Sequence, residues 1–477
     1  MRPARRLVPA ALLLASACAV GPRYQRPEVA TPPAWRFEVG PQEAASIADL
    51  PWWEVFRDPE LETLLREALA NNQDLRLAAA RVEESRALVG VARADFYPQI
   101  GLDAGGTYGQ QFAKNYTPGL GPVGRWSANV GLSWELDIWG RVRNASDAAK
   151  AGLLATEEGR RAVVLSLVSD VAQAYADLLE LDRELEISRR NTETRQGTLD
   201  LFTKRSDGGI GNDLEVNQAK ADLAVTAAAI PATERLIALK ESQLAVLLGR
   251  PPGPIARSQR GTYAVPPALP MGVPAALLER RPDVRAAEDG VMAATSLVGV
   301  AVANRLPKLS LEGVIGLAGP QLTSMFSPEG LVWGIGGNLL APIFQGGRLS
   351  SEEEAARARL EQSVATYRQS VLTAWREVAD AAVSVRKLRE VVVQEEIRAT
   401  ASRAAERLAR MRYDGGVSSY LEVLDAQRST FQAEIDLARV RRDEVVSVVQ
   451  LYRALGGGWQ DPPSPAPQAE APPAGKR

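Results

Sequence analysis

Residues 412–428 read RYDGGVSSYLEVLDAQR, and a weaker copy of this stretch lies 207 positions earlier (412 less 205), where residues 205–220 read RSDGGIGNDLEVNQAK. The triplets Asp-Gly-Gly and Leu-Glu-Val occupy the same positions in both copies. In each copy a long helical pattern enters the turn and a second one leaves it. Paired glycines supply the left-handed backbone that closes a helix. The sequence therefore predicts two similar helical hairpins, produced by an internal two-fold repeat.

The helical patterns that flank the turns are unusually long. They are predicted at 144–204 and 213–249 in the first copy and at 350–413 and 418–455 in the second. The longer helix of each copy contains no proline and would measure about 90 Å at 1.5 Å per residue. This length is typical of a coiled-coil column rather than of a compact domain. Only Pro231 interrupts these patterns, and we expect a kink or a break there.

Each copy also contains two segments in which apolar side chains recur at every second residue. They are predicted as strands at about 97–108 and 126–138 in the first copy and at about 309–317 and 333–343 in the second. Strands of about ten residues with one apolar face and one small or polar face are typical of outer-membrane barrels. A half-buried antiparallel sheet in a soluble domain shows the same alternation and is the alternative interpretation.

The number of strands has a consequence for assembly. Four strands cannot close a transmembrane barrel, and an open edge in lipid would leave backbone groups unpaired at several kcal/mol each. If these strands cross a membrane, several copies must therefore complete one sheet, and at least about eight strands are needed. The helical columns follow the strands directly and would prolong the same cylinder on the periplasmic side.

The composition argues against several classes of function. Removing the three leader arginines from the 56 Lys and Arg leaves 53 against 58 Asp and Glu, a net charge of about −5, which gives no field suited to nucleic acid. The chain has no histidine, the commonest general base and metal ligand. It also has no nucleophile motif and no phosphate-binding loop. We therefore expect no enzymatic activity and few soft ligands for metal ions. We see no apolar run of the roughly 20 residues that a spanning helix needs.

The first residues resemble the leader of a bacterial lipoprotein. Basic residues, the apolar stretch Leu7–Leu14 and three small residues precede Cys18, the only cysteine of the chain. Such a leader is a secretory signal peptide. The resemblance to a lipobox implies a diacylglycerol and an N-palmitoyl group on Cys18, although Ala15 stands where leucine is usual. Ala19 differs from the aspartate that retains sorted lipoproteins at the inner membrane, so the outer membrane is predicted. An ordinary cleavage site with an incidental cysteine is the alternative.

Four motifs together resemble TolC-like outer-membrane efflux lipoproteins, the outer channels of tripartite resistance–nodulation–division pumps. They are CAVGP at 18–22, WW at 52–53, LERRPD at 278–283 and YLEVLDAQR at 420–428. Each motif is weak alone, but the combination is specific and covers almost the whole mature chain. The resemblance implies a mixed fold: a homotrimer with a twelve-stranded outer-membrane β-barrel, four strands per chain, continued by a long periplasmic α-helical coiled-coil barrel.

The same resemblance implies where the channel closes. The gate positions at its periplasmic end fall on Leu421 and Asp425. Three copies of Asp425 around one axis would repel each other unless cations or partners bind them. The counterpart of Asp425 in the first copy is Gln218, so only one hairpin per chain would supply the acid. An ordinary solvated acid on a helix face is the alternative for Asp425.

The resemblance also implies the partners. The hairpin turns, with Gly208 and Gly209 in the first and Gly415 and Gly416 in the second, would dock to a periplasmic adaptor bound to an inner-membrane pump. We expect these glycines to be structural first and adaptor contacts second. The protein would be a passive duct in the outer membrane of a Gram-negative bacterium, in contact with lipid and without a cofactor other than its own acyl groups.

The predicted organisation follows the repeat. It consists of a signal peptide (1–17), an acylated extended segment (18–59), a first repeat (60–249), a Pro-rich connector (250–273), a second repeat (274–455) and a disordered tail (456–477). In the second repeat we expect helices at 274–278 and 288–304 before the strands. The arginine-rich run 403–412 is interpreted as a solvated helix face, with salt bridges to a neighbouring helix as the alternative. Trp126, Trp134 and Trp333 are expected either at the lipid interface or packed on the sheet.

Two other functions remain open at this point. One is an outer-membrane channel for type I protein secretion, in which the inner component is an ATP-binding transporter. The other is a structural periplasmic adaptor made of helical hairpins. The adaptor hypothesis does not account for the four amphipathic strands, so the efflux duct is favoured over it.

Overall fold

The computed structural model describes residues 19–35, 46–49, 58–109, 123–258, 269–271 and 274–457 of the 477-residue chain. Eight α-helices lie in these ranges: α1 Pro59–Asn71, α2 Gln73–Ala94, α3 Arg141–Asp207, α4 Asp213–Leu247, α5 Leu277–Arg280, α6 Pro282–Ala303, α7 Arg348–Asp414 and α8 Tyr420–Ala454. The strands are β1 Gln99–Gly109, β2 Val123–Leu136, β3 Lys308–Gly319 and β4 Leu331–Leu340. The fold is mostly helical with one small sheet, which confirms the predicted mixed class.

The chain divides into two compact units. The unit that contains the sheet is made of the described parts of Met1–Val29, Ala80–Glu158 and Ala286–Ser370. The unit that contains both helical turns is made of the described parts of Ala30–Ala79, Gly159–Arg285 and Val371–Arg477. Each unit therefore combines residues from the first and the second sequence repeat.

The four strands form one antiparallel sheet in the order β1-β2-β3-β4. Directly opposite residues share a face of a sheet. The register places Leu102 opposite Val130, Val130 opposite Ile315, and Ile315 opposite Trp333. The predicted apolar sets of the four strands therefore lie on one face. The other face carries small and polar residues, such as the aligned row Gln99, Ser133, Glu312 and Gly336.

The apolar face of this sheet is uncovered in a single chain. The side chains of Leu102, Trp333 and Ile335 are 76%, 74% and 83% exposed. In the part of the chain that the structure describes, β1 and β4 each have a strand on one side only. An exposed apolar face and two free edges are typical of a sheet that contacts lipid or another chain.

The helical repeat forms two hairpins whose helices have equal lengths. α3 and α7 both have 67 residues, and α4 and α8 both have 35. An ion pair recurs at the same positions with the charges exchanged between the helices. Arg189 Nη2 lies 2.7 Å from Glu234 Oε1 in the first hairpin, and Arg441 Nη2 lies 2.7 Å from Glu396 Oε1 in the second.

One helix prediction needs correction in full and one in part. At Pro231 the predicted break is absent, since α4 continues through this residue, and a kink there stays a prediction. Pro231 is exposed, while Thr233 and Ile237 just after it are buried, so packing on the opposite face holds the helix together. α6 begins at Pro282, six residues before the predicted start at 288. Proline is favourable at a first helical position, because the missing N–H would have no partner there and its fixed φ already suits the helix.

Two of the described helices contain an 18-residue window apolar enough to cross a membrane by composition. The mean hydropathy of the window is 1.4 in α3 and 1.3 in α6, which corrects the expectation that no such run exists. In α3, 67% of the window is buried inside the protein, and this is the composition expected of a core helix.

Residues 19–35 form no helix or strand, in agreement with the predicted extended segment. Hydrogen bonds hold their first part against the unit that contains the sheet. Val20 N donates to Trp139 O at 3.0 Å, and Asn144 Nδ2 donates to Val20 O at 3.1 Å. Tyr24 Oη donates to Glu288 Oε1 at 2.7 Å. The chain is therefore fixed in place within a few residues of the predicted acylation site.

α8 ends at Ala454, but the folded chain continues into the predicted tail. Gly456 has a φ of +79° and closes the helix, and both Gly456 and Gly457 are buried. The first two residues of the predicted tail thus belong to the folded chain. The remaining tail residues, 458–477, and residues 259–268 of the predicted connector lie outside the described residues.

Candidate functional site at the hairpin turns

Both turns close their first helix with the same hydrogen-bonded cap. At the end of α7, Gly416 N donates to Tyr413 O and Val417 N donates to Arg412 O, both at 2.9 Å. The turn after α3 makes the same two bonds 207 residues earlier, at 2.9 and 3.0 Å. This pattern is the Schellman motif, in which the residue just past the helix end is left-handed.

The two glycines of each turn are constrained in different ways. Gly209 and Gly416 have φ values of +72° and +73°, which a residue with a Cβ adopts only under strain. A Cβ on Gly208 or Gly415 would lie 3.3 Å from a carbonyl oxygen of the preceding helical turn. The turn geometry therefore accounts for glycine at all four positions. Their role in docking stays a prediction.

Replacing Gly416 by alanine is expected to lower stability by about 1 kcal/mol, because alanine would have to adopt the left-handed conformation. Gly209→Ala should behave in the same way. Gly197→Ala is the matched control: Gly197 lies inside α3 with nothing within 4 Å of an added Cβ, so alanine should raise stability by roughly 0.5–1 kcal/mol. Thermal unfolding midpoints test the contrast, and equal shifts at the turn and helix positions would contradict it.

An aromatic cluster from α3, α7 and α8 lies beside the turns. The ring centroid of Phe202 is 4.3 Å from that of Tyr420 and 6.2 Å from that of Tyr413, with the rings packed edge to face. Arg205 Nη1 donates to Tyr413 Oη at 2.9 Å. Burial raises the pKa of Tyr420 to about 12, so its hydroxyl stays protonated. The cluster joins the two hairpins at their turn ends.

Leu421 and Asp425 lie on the face of α8 that is turned away from this cluster. Leu421 is 60% exposed, and Asp425, one helical turn further, is exposed as well. Of the three residues between them, Val423 and Leu424 are buried beside the cluster, whereas Glu422 is exposed. Asp425 makes no ion pair with any described residue of its own chain. The two predicted gate positions are thus neighbours on one exposed face, where groups outside the chain can reach them.

The structure shows a buried ion pair beside these positions that sequence reasoning missed. Arg195 Nε lies 3.0 Å from Asp222 Oδ2, and both side chains are only 3% exposed. Arg428 Nε donates to Asp222 Oδ1 at 2.9 Å. These three residues join α3, α4 and α8, and Arg428 lies three positions after Asp425. These ion pairs therefore hold the part of α8 that carries Asp425 against α3 and α4.

The interpretation of residues 403–412 as a solvated face is wrong for Arg403. Arg403 Nε donates at 2.8 Å to Glu434 Oε1 on α8. The Glu434 carboxylate is only 9% exposed, and its other oxygen lies 2.5 Å from Arg190 Nη2 on α3. The alternative, a salt bridge to a neighbouring helix, is correct at this position.

The three tryptophans differ in their surroundings. A Cβ on Gly106 would lie 2.1 Å from the ring of Trp126, so that ring lies flat over the glycine. Trp134 Nε1 donates to Phe96 O at 3.0 Å. Trp126 therefore packs on the sheet, and the Trp134 indole is held by the backbone just before β1. Trp333 is exposed on the apolar face, as a residue at a lipid interface would be.

Two predicted features are not tested by the geometry. Cys18 lies outside the described residues, so its acylation stays a prediction. Within the described ranges, no group of three or more His, Cys, Asp or Glu side chains is placed to hold a metal ion.

Known proteins share this architecture over nearly the whole chain. The sequence profile of the family described as "Outer membrane efflux protein" matches residues 64–250 and 273–457. The cation efflux system protein CusC of Escherichia coli O6:H1 is 33% identical over 461 residues, covering 95% of this chain and 99% of CusC. The toluene efflux pump outer membrane protein TtgI of Pseudomonas putida is 34% identical over 463 residues, covering 94% of this chain and 97% of TtgI. A solved structure of the outer-membrane channel OprN superposes with a TM-score of 0.85 at 32% identity, covering 93% of this chain and 100% of that chain.

The helical hairpins, the small antiparallel sheet and these matches define the class of outer-membrane channels. The chain belongs to the outer membrane efflux protein family. The predicted family, the predicted outer-membrane location and the predicted role in efflux are thereby confirmed.

Proposed function

We propose that this protein is the outer-membrane channel subunit of a tripartite efflux system, and that three copies form a passive duct. Four strands from each copy close a twelve-stranded barrel, and the hairpins continue it as an α-helical tunnel in the periplasm. A periplasmic adaptor docks at the turns and connects the duct to an inner-membrane resistance–nodulation–division pump, which supplies the energy. Acyl groups on Cys18 anchor each chain in the membrane.

The sheet carries this proposal. Its apolar face is exposed, and β1 and β4 each lack a neighbour on one side among the described strands. In lipid these edges would leave backbone groups without partners, so copies must join edge to edge until the sheet closes. An apolar face toward lipid and a glycine-rich polar face toward water is the arrangement of transmembrane barrels.

The periplasmic end supplies the gate. Three Asp425 carboxylates brought around one axis repel each other, and Leu421 one turn away narrows the same passage. Because the carboxylates repel each other, a bound cation or a docked partner directly changes the free-energy difference between the closed and the open gate. The turns lie at the same end of each hairpin as the gate residues, so a protein that docks on the turns can act on the gate.

Selection of the cargo belongs to the inner-membrane pump in this proposal. Relatives with almost the same identity to this chain, 33% and 34%, are named for cargoes as different as cations and toluene. A duct shared by such cargoes needs no dedicated ligand set, and the charged and apolar groups at its gate act on passage rather than on recognition.

Asp425→Ala is expected to give a several-fold larger single-channel conductance than the wild type in planar lipid bilayers, because the mutual repulsion and the bulk at the constriction are both removed. Glu193→Ala is the matched control, since Glu193 is an exposed acid on α3 away from the turn, and it should leave the conductance unchanged. An unchanged conductance in Asp425→Ala would contradict the gate assignment. Failure of the wild type and of both variants to conduct ions would contradict the duct.

A further inference from the structure

A cavity of about 510 Å³ lies between four helices, at the place where α8 ends and α6 begins. Residues of α3, α6, α7 and α8 line it, and all of the lining residues belong to the unit that contains the helical turns. Small-molecule pockets have volumes of about 300–1,000 Å³. None of the lining residues belongs to the turns or to the sheet, so the proposed duct assigns no role to this cavity.

α7 provides the polar side of the cavity. Glu377, Asp380 and Ser384 all line it and are spaced by three and four residues along the helix. Residues three and four apart lie next to each other on one face of a helix. Two carboxylates and one hydroxyl therefore face the same space.

Other parts of the lining are apolar. Ala162 and Leu165 lie one turn apart on α3, and Pro282 and Ala454 come from the ends of α6 and α8. Leu165 is buried and belongs to the core of the unit. An apolar ring or chain that rests on these residues would be removed from water, and this favours its binding.

The two arginines of the lining already have carboxylates beside them. Arg281 is buried, and its Nη2 lies 2.6 Å from Asp283 Oδ2 while its Nη1 lies 2.7 Å from Glu377 Oε2. Arg453 Nη1 lies 3.6 Å from Asp170 Oδ1. Both positive charges of the cavity are therefore opposed by acids of the same chain.

Asp380 is the acid of the cavity whose charge is not opposed. Its carboxylate is exposed and makes no ion pair with any residue in the described ranges. Ser384 Oγ donates its proton to the backbone oxygen of Asp380 at 2.7 Å, so the hydroxyl offers only lone pairs to the cavity. Arg281 uses Glu377 Oε2 and leaves Glu377 Oε1 as a further acceptor. Three neighbouring groups of α7 therefore accept hydrogen bonds, and such a set suits a cationic N–H donor.

The first repeat does not reproduce this arrangement. The residues 207 positions before Asp380 and Arg453 are Gln173 and Val246, which carry no charge. The two hairpins have helices of equal length in spite of this difference. An unopposed carboxylate at this place is therefore not a requirement of the hairpin that the repeats share.

We propose that the cavity binds a small amphiphilic primary amine in its protonated form. The ammonium group donates hydrogen bonds to the Asp380 carboxylate and to Glu377 Oε1, and the apolar body lies against Ala162 and Leu165. A neutral alcohol of the same shape lacks the charge that Asp380 attracts, so it binds more weakly. All of these residues belong to one chain, and the inference does not depend on the proposed duct.

Titration calorimetry of the purified full-length protein in detergent tests the site, with 1-naphthylmethylamine as the probe and 1-naphthylmethanol as its neutral analogue. We expect the amine to bind the wild type at one saturable site per chain, and the alcohol to show only the heat of partitioning into detergent. Asp380→Asn keeps the shape of the side chain and removes its charge, so it should weaken binding of the amine about ten-fold. Glu361→Gln is the matched control, because Glu361 is another exposed acid of α7, and it should bind like the wild type.

Thermal unfolding gives a second measurement that also shows whether each variant is folded. Saturating amine should raise the unfolding midpoint of the wild type and of Glu361→Gln, because a ligand that binds only the folded chain stabilises it, and it should raise that of Asp380→Asn much less. Asp380→Lys places an ammonium group of the chain itself in the cavity and should abolish binding. Absence of saturable binding to the wild type, equal affinity in the wild type and Asp380→Asn, or equal binding of the amine and the alcohol would each overturn the proposal.

Discussion

Asp222→Ala should destabilise the turn end of the hairpins by roughly 3–5 kcal/mol, the range seen when one partner of a buried ion pair is removed. Arg195 and Asp222 are each 3% exposed and 3.0 Å apart. Burial already lowers the pKa of Arg195, and the Asp222 carboxylate is the largest of the nearby charges that oppose this shift. Without that carboxylate, the Arg195 guanidinium would remain buried after losing the carboxylate that pairs with it directly.

The predicted loss of stability is large because the ion pair is buried. Two further variants test whether burial, rather than the mere loss of an ion pair, causes it. Arg195→Met combined with Asp222→Leu removes both charges and fills the space, so it should recover most of the loss. Asp436→Ala breaks the more exposed pair with Arg398, whose side chain is 45% exposed, and should cost at most about 1 kcal/mol. Heat-induced loss of helical circular dichroism in detergent measures all three. A loss in Asp222→Ala no greater than in Asp436→Ala would refute the argument.

The same substitution has a consequence for the proposed gate. Arg428 holds Asp222 from α8, three positions after Asp425, and Arg195 holds it from α3. The face of α8 that carries Asp425 is thus joined to the first hairpin through a buried carboxylate. Loss of that tie should loosen α8 near the constriction, so Asp222→Ala is expected to increase conductance even though Asp222 itself is buried and cannot line the passage.

Local patterns of the sequence were sufficient to predict the hairpins. The period of the apolar residues and the Asp-Gly-Gly turns place the first long helix at 144–204, and the structure has it at Arg141–Asp207. The strand segments were predictable for the same reason, because a period of two over ten residues has few other interpretations. The hairpins and the strands both depend on residues close together in the chain, so one sequence is enough to predict them.

The ion pairs between helices could not be predicted in this way. Arg428 lies in the stretch that defines the repeat, yet its partner Asp222 is 206 positions away and nothing in the local pattern selects it. The internal repeat does not predict the ion pair either, because the counterpart of Asp222 is Ser429 and that of Arg195 is Ser402. Leu421 and Asp425 are exposed, and their role as gate residues, which periodicity alone would not have supplied, stays a prediction from the family resemblance.

Raising the pH from about 5 to 8 should lower the stability of the hairpins, and Glu180 is expected to contribute up to about 2 kcal/mol of this loss after allowance for its partial exposure. Burial, together with the neighbouring Glu184 carboxylate, raises the pKa of Glu180 to about 7 from its ordinary value of 4.5. Arg439 and Arg442 of α8 act in the opposite direction without cancelling the shift. Between pH 4.5 and 7 the folded chain therefore binds more protons than the unfolded chain, and its stability falls as the pH rises.

Glu180→Gln isolates this contribution, because the amide has the shape of the protonated carboxyl and does not titrate. The contribution is fully present below about pH 4.5 and is lost as the pH passes through 7, so the unfolding midpoint of the variant should exceed that of the wild type at pH 8 and approach it at pH 5. Burial also raises the pKa of Asp182 and of Glu444, so a smaller slope of the same sign should persist in Glu180→Gln. Glu193→Gln, on the exposed side of the same helix, should follow the wild-type curve. If Glu180→Gln and Glu193→Gln have the same pH dependence, the proton is not held between Glu180 and Glu184, and the pairing of α3 with α8 does not respond to periplasmic pH at this site.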